Sequence, residues 1–475
     1  MKSKRISRRQ FLVSTGIATG ATCAWSRLGF AATQAGGRKP NILLILADDL
    51  GYGELSCQGP TDVPSPNIDS IAASGVRFTN GYVTCPVCSP TRAGLLTGRY
   101  QQRFGHEFNP GSAGAVDVKF GLPLSEKTIA EYLKEEGYAT GLVGKWHLGD
   151  RPECRPQQRG FDEFFGFLGG AHSYVDSQRD PKNMILRGAE KVNEPEYLTD
   201  AFTREALAFI ARHKSHPFFL YLAYNAVHGP MEKSVKREER FAAIADEKRR
   251  TFATMLTALD EGVGAVLNKL RETGLEQDTL VIFLSDNGGP TQVNTARNTP
   301  LSSVKGQVLE GGIRIPYMMQ WKGRIPAGNR FEQPINSLDI LPTALTAAGG
   351  KILRDMKLEG TDLIPFVTGK KTKPPHEALF WRFGEQYAAR MGDWKLVKQD
   401  ETAPRIYNLA ADISEQNDLA GKEPKKLKQL QSAYDRWNAQ NVEPLWKPRR
   451  LAGTAAGQPR PRRQRERPRR ARNLR

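Results

Sequence analysis

Cys88 and Arg92 stand four residues apart in the stretch from Thr84 to Tyr100, TCPVCSPTRAGLLTGRY. The run before it, Val76 to Val83, has strand composition, and the apolar spacing from Thr91 to Leu96 is helical. The stretch therefore reads as strand, tight turn and helix. Pro90 suits the first helical position because it has no amide hydrogen to lose, and Ser89 suits the cap before it. Cys88 is then expected where unpaired backbone N–H groups and the helix dipole favour an anion, with the donor fork of Arg92 one turn further in. A cysteine held over an anion hole is a candidate nucleophile. As half of Cys85-x-x-Cys88 it reads instead as a redox or zinc half-site, but no second Cys/His pair with ligand spacing lies nearby.

Further polar clusters follow apolar runs. Asn41 to Ala47 ends in Asp48-Asp49-Leu50-Gly51, and Thr279 to Leu284 ends in Ser285-Asp286-Asn287-Gly288. Asp48, Asp49, Asp286 and Asn287 would put three carboxylates and an amide at one sheet edge. Such hard oxygens suit a divalent cation, because so much like charge is costly without one. Either cluster alone reads equally well as turn formers or helix caps, the usual work of Asp and Asn beside Gly. Lys145 and His147, in Gly-Lys-Trp-His-Leu-Gly, leave an extended segment on the same face. His228 follows the strand Pro217 to Tyr224, and Lys305 opens a run in which Glu310 and Arg314 read as a structural ion pair.

Together these residues resemble the type I sulfatases, the formylglycine-dependent branch of the alkaline phosphatase superfamily. That family's signature, Cys-x-Pro-x-Arg followed by an apolar turn and Thr-Gly-Arg, is filled by Cys88, Pro90, Arg92, Thr97, Gly98 and Arg99; Thr91 stands where the family most often has Ser. The resemblance runs from about Arg38 to Gln440, through five motif regions in family order. It implies that a maturation enzyme oxidises Cys88 to formylglycine. It also implies that Asp48, Asp49, Asp286 and Asn287, with the modified Cys88, ligate calcium or, less often, magnesium. Arg92, Lys145, Lys305 and the two histidines would surround the sulfate. By the same resemblance the hydrated aldehyde attacks sulfur, His228 with Lys305 nearby protonates the departing alcohol, and His147 takes the proton whose loss expels sulfate.

These residues need a scaffold that brings strand ends together. Strand and helix alternate: helices are expected at Ser65–Ser74, Ser125–Glu136, Thr199–Lys214 and Glu247–Thr273, and a further strand at Tyr138–Val143. The alternation predicts an α/β fold with a mostly parallel mixed sheet sandwiched by helices, as the resemblance to the alkaline phosphatase superfamily also implies. Every polar cluster falls just past a strand's carboxyl end, where open α/β sheets bind ligands. Ile335 to Ala348 reads as a closing helix. From about Glu377 short strands at Ala378–Phe383, Gln386–Met391 and Trp394–Lys398 and a helix at Pro424–Gln440 form a smaller C-terminal α+β domain. The expected boundaries are 36–350 for the catalytic domain and 351–446 for the small one.

The formal charge of +18 resides in the ends. Residues 1–36 carry six Lys/Arg and no acid, and 447–475 carry twelve against one Glu, which leaves the body near neutral and argues against nucleic-acid binding. Residues 1–35 read as a twin-arginine signal, Ser7-Arg8-Arg9-Gln10-Phe11-Leu12 and a mild apolar run, cleaved near Ala31 to Ala35. That predicts a periplasmic or secreted protein carried by the twin-arginine translocase and free of the membrane after processing. Cys23 lies within the signal, behind a poor lipoprotein box. The Arg/Pro-rich residues 447–475 read as disordered.

The leading reading is an exported sulfatase acting on carbohydrate or aryl sulfates. A phosphodiesterase or phosphonate monoester hydrolase of the same superfamily is the second. A protein that binds sulfated polyanions through its basic tail is the third. Specificity is expected on loops 101–116, 169–196 and 229–240, with His106 and His172 as sugar contacts.

Overall fold

The computed structural model describes residues 38–111, 120–399 and 401–446. The signal segment, Cys23, the basic tail and the end of the loop 101–116 lie outside the described residues. From Arg38 on, the described residues belong to one compact unit.

The central sheet is built on β1 (Asn41–Ala47), β4 (Ala139–Lys145), β8 (Phe218–Ala223) and β9 (Thr279–Ser285). β1 pairs in parallel with β8 on one side and β9 on the other, and β8 pairs in parallel with β4. All four therefore end at the same edge. Beyond β4 come β5 (Glu163–Phe167), parallel, and the short antiparallel β6 (Leu186–Arg187) and β7 (Glu190–Lys191). Beyond β9 come the antiparallel β10 (Tyr317–Gln320), then β2 (Val76–Phe78) and β11 (Asn329–Phe331). Ten strands form one mixed sheet.

β1 shows why the sheet needs helices on both sides. Ile42, Leu44 and Leu46 enter one apolar core with Ala93, Leu95 and Leu96 of α2 (Cys88–Thr97), Leu133 of α3 (Ile129–Glu135) and Leu341 of α8 (Ile340–Ala347). Leu43 and Ile45 enter the other, with Ile68 of α1 (Pro66–Ala73), Phe202 of α4 (Leu198–His213) and Leu256 of α5 (Glu247–Glu272). A strand whose alternate residues are both apolar can be buried only this way.

A four-stranded antiparallel sheet of β13 (Leu379–Phe383), β14 (Gln386–Met391), β15 (Trp394–Lys398) and β16 (Arg405–Asn408) packs on α10 (Pro424–Asn438) through Leu396, Ile406, Tyr434 and Trp437. Trp381 of β13 donates its indole N–H to the Val83 carbonyl at 2.6 Å, joining this sheet to the chain ahead of α2.

Some expectations shift. Val76–Val83 is not one strand: after β2 the chain turns at Thr79–Asn80, and β3 (Gly81–Tyr82) pairs with β12 (Ile335–Asn336) instead. That pairing removes the first residues of the expected closing helix, which starts at Ile340. The helix expected at Ser125–Glu136 starts at Ile129, because Thr128 and Glu131 form a capping box there. Residues 291–294, 310–313 and 364–367 form the single-turn helices α6, α7 and α9.

Candidate active site

The carboxyl ends of β1, β4, β8 and β9 meet the amino end of α2. The helix begins at Cys88, with Val87 in the cap position and no side-chain cap. Ser89 is therefore not the cap expected from sequence. Its hydroxyl donates to the His147 carbonyl at 2.6 Å and meets His106 Nε2 at 2.7 Å, while its amide donates to Asn109 Oδ1 at 3.0 Å. Pro90, in the first turn, costs the helix no hydrogen bond.

Cys88 Sγ lies 3.6 Å from Asp48 Oδ1 and 3.1 Å from Lys305 Nζ. Asp48 Oδ2 accepts from Lys145 Nζ at 2.5 Å, with Arg92 Nη2 at 3.6 Å. Asp49 Oδ1 accepts from Lys305 Nζ at 2.5 Å and from Asn287 Nδ2 at 2.7 Å, and its other oxygen faces His228 Nε2 at 3.6 Å. Arg92 holds Asp286 Oδ2 through Nη2 at 2.8 Å and Nε at 3.1 Å. The structure thus brings together Cys88, Arg92, Lys145, His228, Lys305, Asp48, Asp49, Asp286 and Asn287 from segments spread over most of the chain.

His147 arrives differently from the extended reading. Lys145 ends β4, but His147 has φ 60°, in the left-handed region. Its amide donates to Leu168 O at 3.1 Å and its carbonyl is held by Ser89. Asp49 is also left-handed, φ 62°, and such backbone in non-glycine residues persists only where the surroundings over-determine it. Around Asp49 they do: its amide donates to Asp286 Oδ1 and its carbonyl accepts from Asn294 Nδ2, each at 3.3 Å, while the preceding Asp48 donates to Ala226 O at 2.9 Å and accepts from Val227 N at 2.7 Å.

Burial works against every charge here, and the neighbours decide the outcome. Asp48 is pushed up by burial, but Lys145, His228 and Arg92 outweigh this and hold its carboxyl below the usual range. Asp49 is likewise held down, against burial, by Lys305 and His228. Burial and the Asp286 charge push the Cys88 thiol up to about 12 despite Lys145 and Lys305, so at neutral pH the sulfur carries its proton. Burial, then Lys145 and Arg92, hold His147 well below its ordinary value, leaving a neutral imidazole.

His106 and His172 do not meet the expectation of sugar contacts. His106 is wholly buried and held down to about 3 by desolvation, and it supports Ser89. His172 is buried beside Phe167, with Nδ1 on the Ser173 carbonyl at 2.7 Å. Sequence reasoning missed the supports Ser89, His106 and Asn109, because nothing local marks a serine whose partner lies 58 residues away.

The donor set fits a hard divalent cation. Ligand atoms of Asp48, Asp49, Cys88 and His228 lie within 4.8 Å of one another. Asn287 Oδ1 is buried among the described residues without a hydrogen-bond partner, an acceptor left for a cation. Asp286 borders this group with its oxygens given to Arg92 and to the Asp49 amide. Three cationic side chains, Arg92, Lys145 and Lys305, balance the three carboxylates of Asp48, Asp49 and Asp286.

Comparison with known proteins agrees with this geometry. The profile of the sulfatase family, described as "Sulfatase", matches residues 40–350, and that described as "N-sulphoglucosamine sulphohydrolase, C-terminal" matches 304–440. The N-acetylgalactosamine-6-sulfatase of Sus scrofa is 35% identical over 380 residues, covering 75% of this chain and 71% of that one. Arylsulfatase A of Homo sapiens is 35% identical over 454 residues, covering 83% and 86%. The crystal structure of Ps i-CgsB in complex with k-i-k-neocarrahexaose superposes with a TM-score of 0.83 at 37% identity, covering 88% of this chain and 96% of that one. With a strand-end cluster of this composition and relatives of this extent, the chain belongs to the sulfatase family, hydrolases of sulfuric esters.

Proposed function

We propose that the protein is an exported sulfatase that removes sulfate from sulfated saccharides. It would use a formylglycine made from Cys88 and a bound calcium ion held by Asp48, Asp49, Asp286, Asn287 and residue 88. The observation that carries this is the position of Cys88 Sγ, within 3.6 Å of Asp48 and 3.1 Å of Lys305 at the amino end of a helix. The carrageenan-type oligosaccharide in the Ps i-CgsB complex supports a saccharide substrate. The Ser7-Arg8-Arg9-Gln10-Phe11-Leu12 segment supports export by the twin-arginine translocase, which carries folded proteins and so permits maturation of Cys88 beforehand.

Irregular carboxylate and amide oxygens suit calcium's flexible shell better than the rigid octahedron of magnesium. When bound, the cation offsets charge on the sulfate as a Lewis acid, and the formylglycine supplies a covalent step that can be reversed. The side chains do the rest. Arg92, Lys145 and Lys305 present positive charge to a sulfate group above residue 88, in a pocket where desolvation strengthens each contact. His228 donates Nδ1–H to the Gly229 carbonyl at 2.6 Å and turns Nε2 to the cluster, so it is as the imidazolium, with a second proton on Nε2, that it hands a proton to the departing alcohol and returns to the neutral Nδ1–H ring. His147, kept neutral, accepts the proton released when sulfate leaves.

Purified protein tests this directly. The wild type is expected to hydrolyse an aryl sulfate faster than the matched aryl phosphodiester, and mass spectrometry to find residue 88 as the aldehyde. Cys88→Ala should fold and be inactive. An unmodified Cys88 in active protein, or full activity in Cys88→Ala, would refute the reading. Faster phosphodiester turnover would favour the phosphodiesterase alternative. A panel of saccharides sulfated at defined positions then identifies the substrate.

A further inference from the structure

Lys305 reaches the site from a loop held at both ends by Glu415, which lies between β16 and α10 of the C-terminal region. The loop runs from Ser302 to Glu310. Its first residue donates Ser302 Oγ–H to Glu415 Oε2 at 2.5 Å, and its last donates Glu310 N–H to the same oxygen at 2.8 Å. One carboxylate oxygen therefore closes the loop. The other, Glu415 Oε1, accepts from Lys395 Nζ at 2.8 Å, and Lys395 in turn reaches Glu310 Oε1 at 2.7 Å. Lys395 and Glu310 are wholly buried and Glu415 is 6% exposed, so no solvent competes for these bonds. At the loop's crest the Gly306 amide donates to Pro86 O at 2.9 Å, two residues before Cys88, and Gln386 Nε2 of β14 donates to the Gly306 carbonyl at 3.1 Å.

Glu415 itself has φ 54°, left-handed backbone that an ordinary glutamate does not choose. The fold accepts that cost at the one residue whose carboxylate spans both ends of the loop. Lys305 has four rotatable side-chain bonds, and only a fixed loop backbone brings its ammonium to Asp49 and Cys88 repeatedly.

We propose that Glu415 is a positioning residue for Lys305. The C-terminal region, through Glu415 and the Lys395 of β15 that anchors it, sets where the site's most exposed ammonium stands. The inference rests on Lys305 serving the proposed reaction. It separates the region's role from stability alone: removal of Glu415 displaces one catalytic cation and spares the rest of the site.

The test is a double-mutant cycle on aryl sulfate turnover with Glu415→Ala, Lys305→Ala and the double variant, melting temperatures being recorded alongside. Glu415→Ala is expected to lower kcat/KM about ten- to a hundredfold, the usual loss when the support behind a functional group is removed. In the Lys305→Ala background the same change should have no further effect on kcat/KM. Losses that multiply would overturn the proposal, as would Glu415→Ala with wild-type kinetics beside an impaired Lys305→Ala. If Lys305→Ala itself turns over normally, the role of Lys305 in the reaction fails first. Should Glu415→Ala not fold, Ser302→Ala and Glu415→Gln take its place in the cycle. Both keep the buried volume, and the same non-additivity is required of them.

Discussion

Arg92 in α2 and Asp286 at the end of β9 meet through two hydrogen bonds across 194 residues of chain, and both side chains are wholly buried. The pair pins the helix that presents Cys88 to the strand that supplies the acidic edge. Such a pair is hard to alter by halves.

Arg92→Ala would take from the buried Asp286 its ionic partner and leave it only the Asp49 amide, and breaking a buried pair in this way costs about 3–5 kcal/mol. Arg92→Lys should recover little, because one ammonium cannot reproduce the two-pronged geometry. Denaturant unfolding measures both. A loss below about 1 kcal/mol for the alanine variant would show that the pair does not bear on stability as argued.

Asp49→Asn should abolish calcium-dependent stabilisation. Wild-type protein at about a hundredfold excess of calcium over Kd should gain about 2.7 kcal/mol, seen as a rise in melting temperature. The variant should show no such rise and no loss on adding chelator. A wild-type melting temperature indifferent to calcium and to magnesium alike would remove the cation from the site.

Gly144 has φ +118°, and a Cβ there would stand 1.9 Å from the Ala223 carbonyl oxygen on β8. Gly144→Ala is therefore expected to pry β4 from β8 and destabilise by roughly 1–3 kcal/mol or more. Lys145 follows immediately, so kcat/KM should fall with stability. An alanine variant with unchanged melting temperature and kinetics would contradict the close approach.

His376 donates from Nε2 to both oxygens of Asp339, at 2.8 and 3.0 Å. Burial lowers its proton affinity, but the Asp339 charge and hydrogen bond more than compensate, so the folded-state pKa lies above the ordinary 6.5. A raised pKa means the protonated pair stabilises fully below about pH 6.5, and the contribution is lost as pH rises through the folded value. His376→Gln should cost about 1.5–3 kcal/mol at pH 5.5, the worth of a hydrogen bond to a charged group, and less at alkaline pH. A stability difference that is flat or grows with pH would reverse the sign.

Local pattern made much of this legible. The strands ending in Asp48-Asp49 and in Asp286-Asn287 are continuous apolar runs, and continuous apolar runs are what a sheet covered on both faces requires. β14 and β15 begin and end where alternation and turn residues place them. β5, β10 and β11 leave no readable pattern, because strands of three to five residues carry too few positions to show a period. The break in Val76–Val83 could not be read, since it depends on β3 finding β12, more than 250 residues away. The burial of His106 and His172 is hidden for a related reason: a histidine's sequence neighbours do not say whether water reaches it.

Residue types and their spacing are enough to say which chemistry the chain can attempt: a cysteine and an arginine one turn apart, Asp48-Asp49 and Asp286-Asn287 at strand ends, and lysines and histidines in short runs that resemble those of sulfatases. The partnerships come from packing alone: Arg92 with Asp286, Lys145 with Asp48, Lys305 with Asp49 and Cys88, and Glu415 across both ends of the Lys305 loop. Periodicity reports which face of an element is buried, but a charge buried in that interior is tolerable only beside its counter-charge, and the order of β4, β8, β1 and β9 across the sheet settles which counter-charge that is.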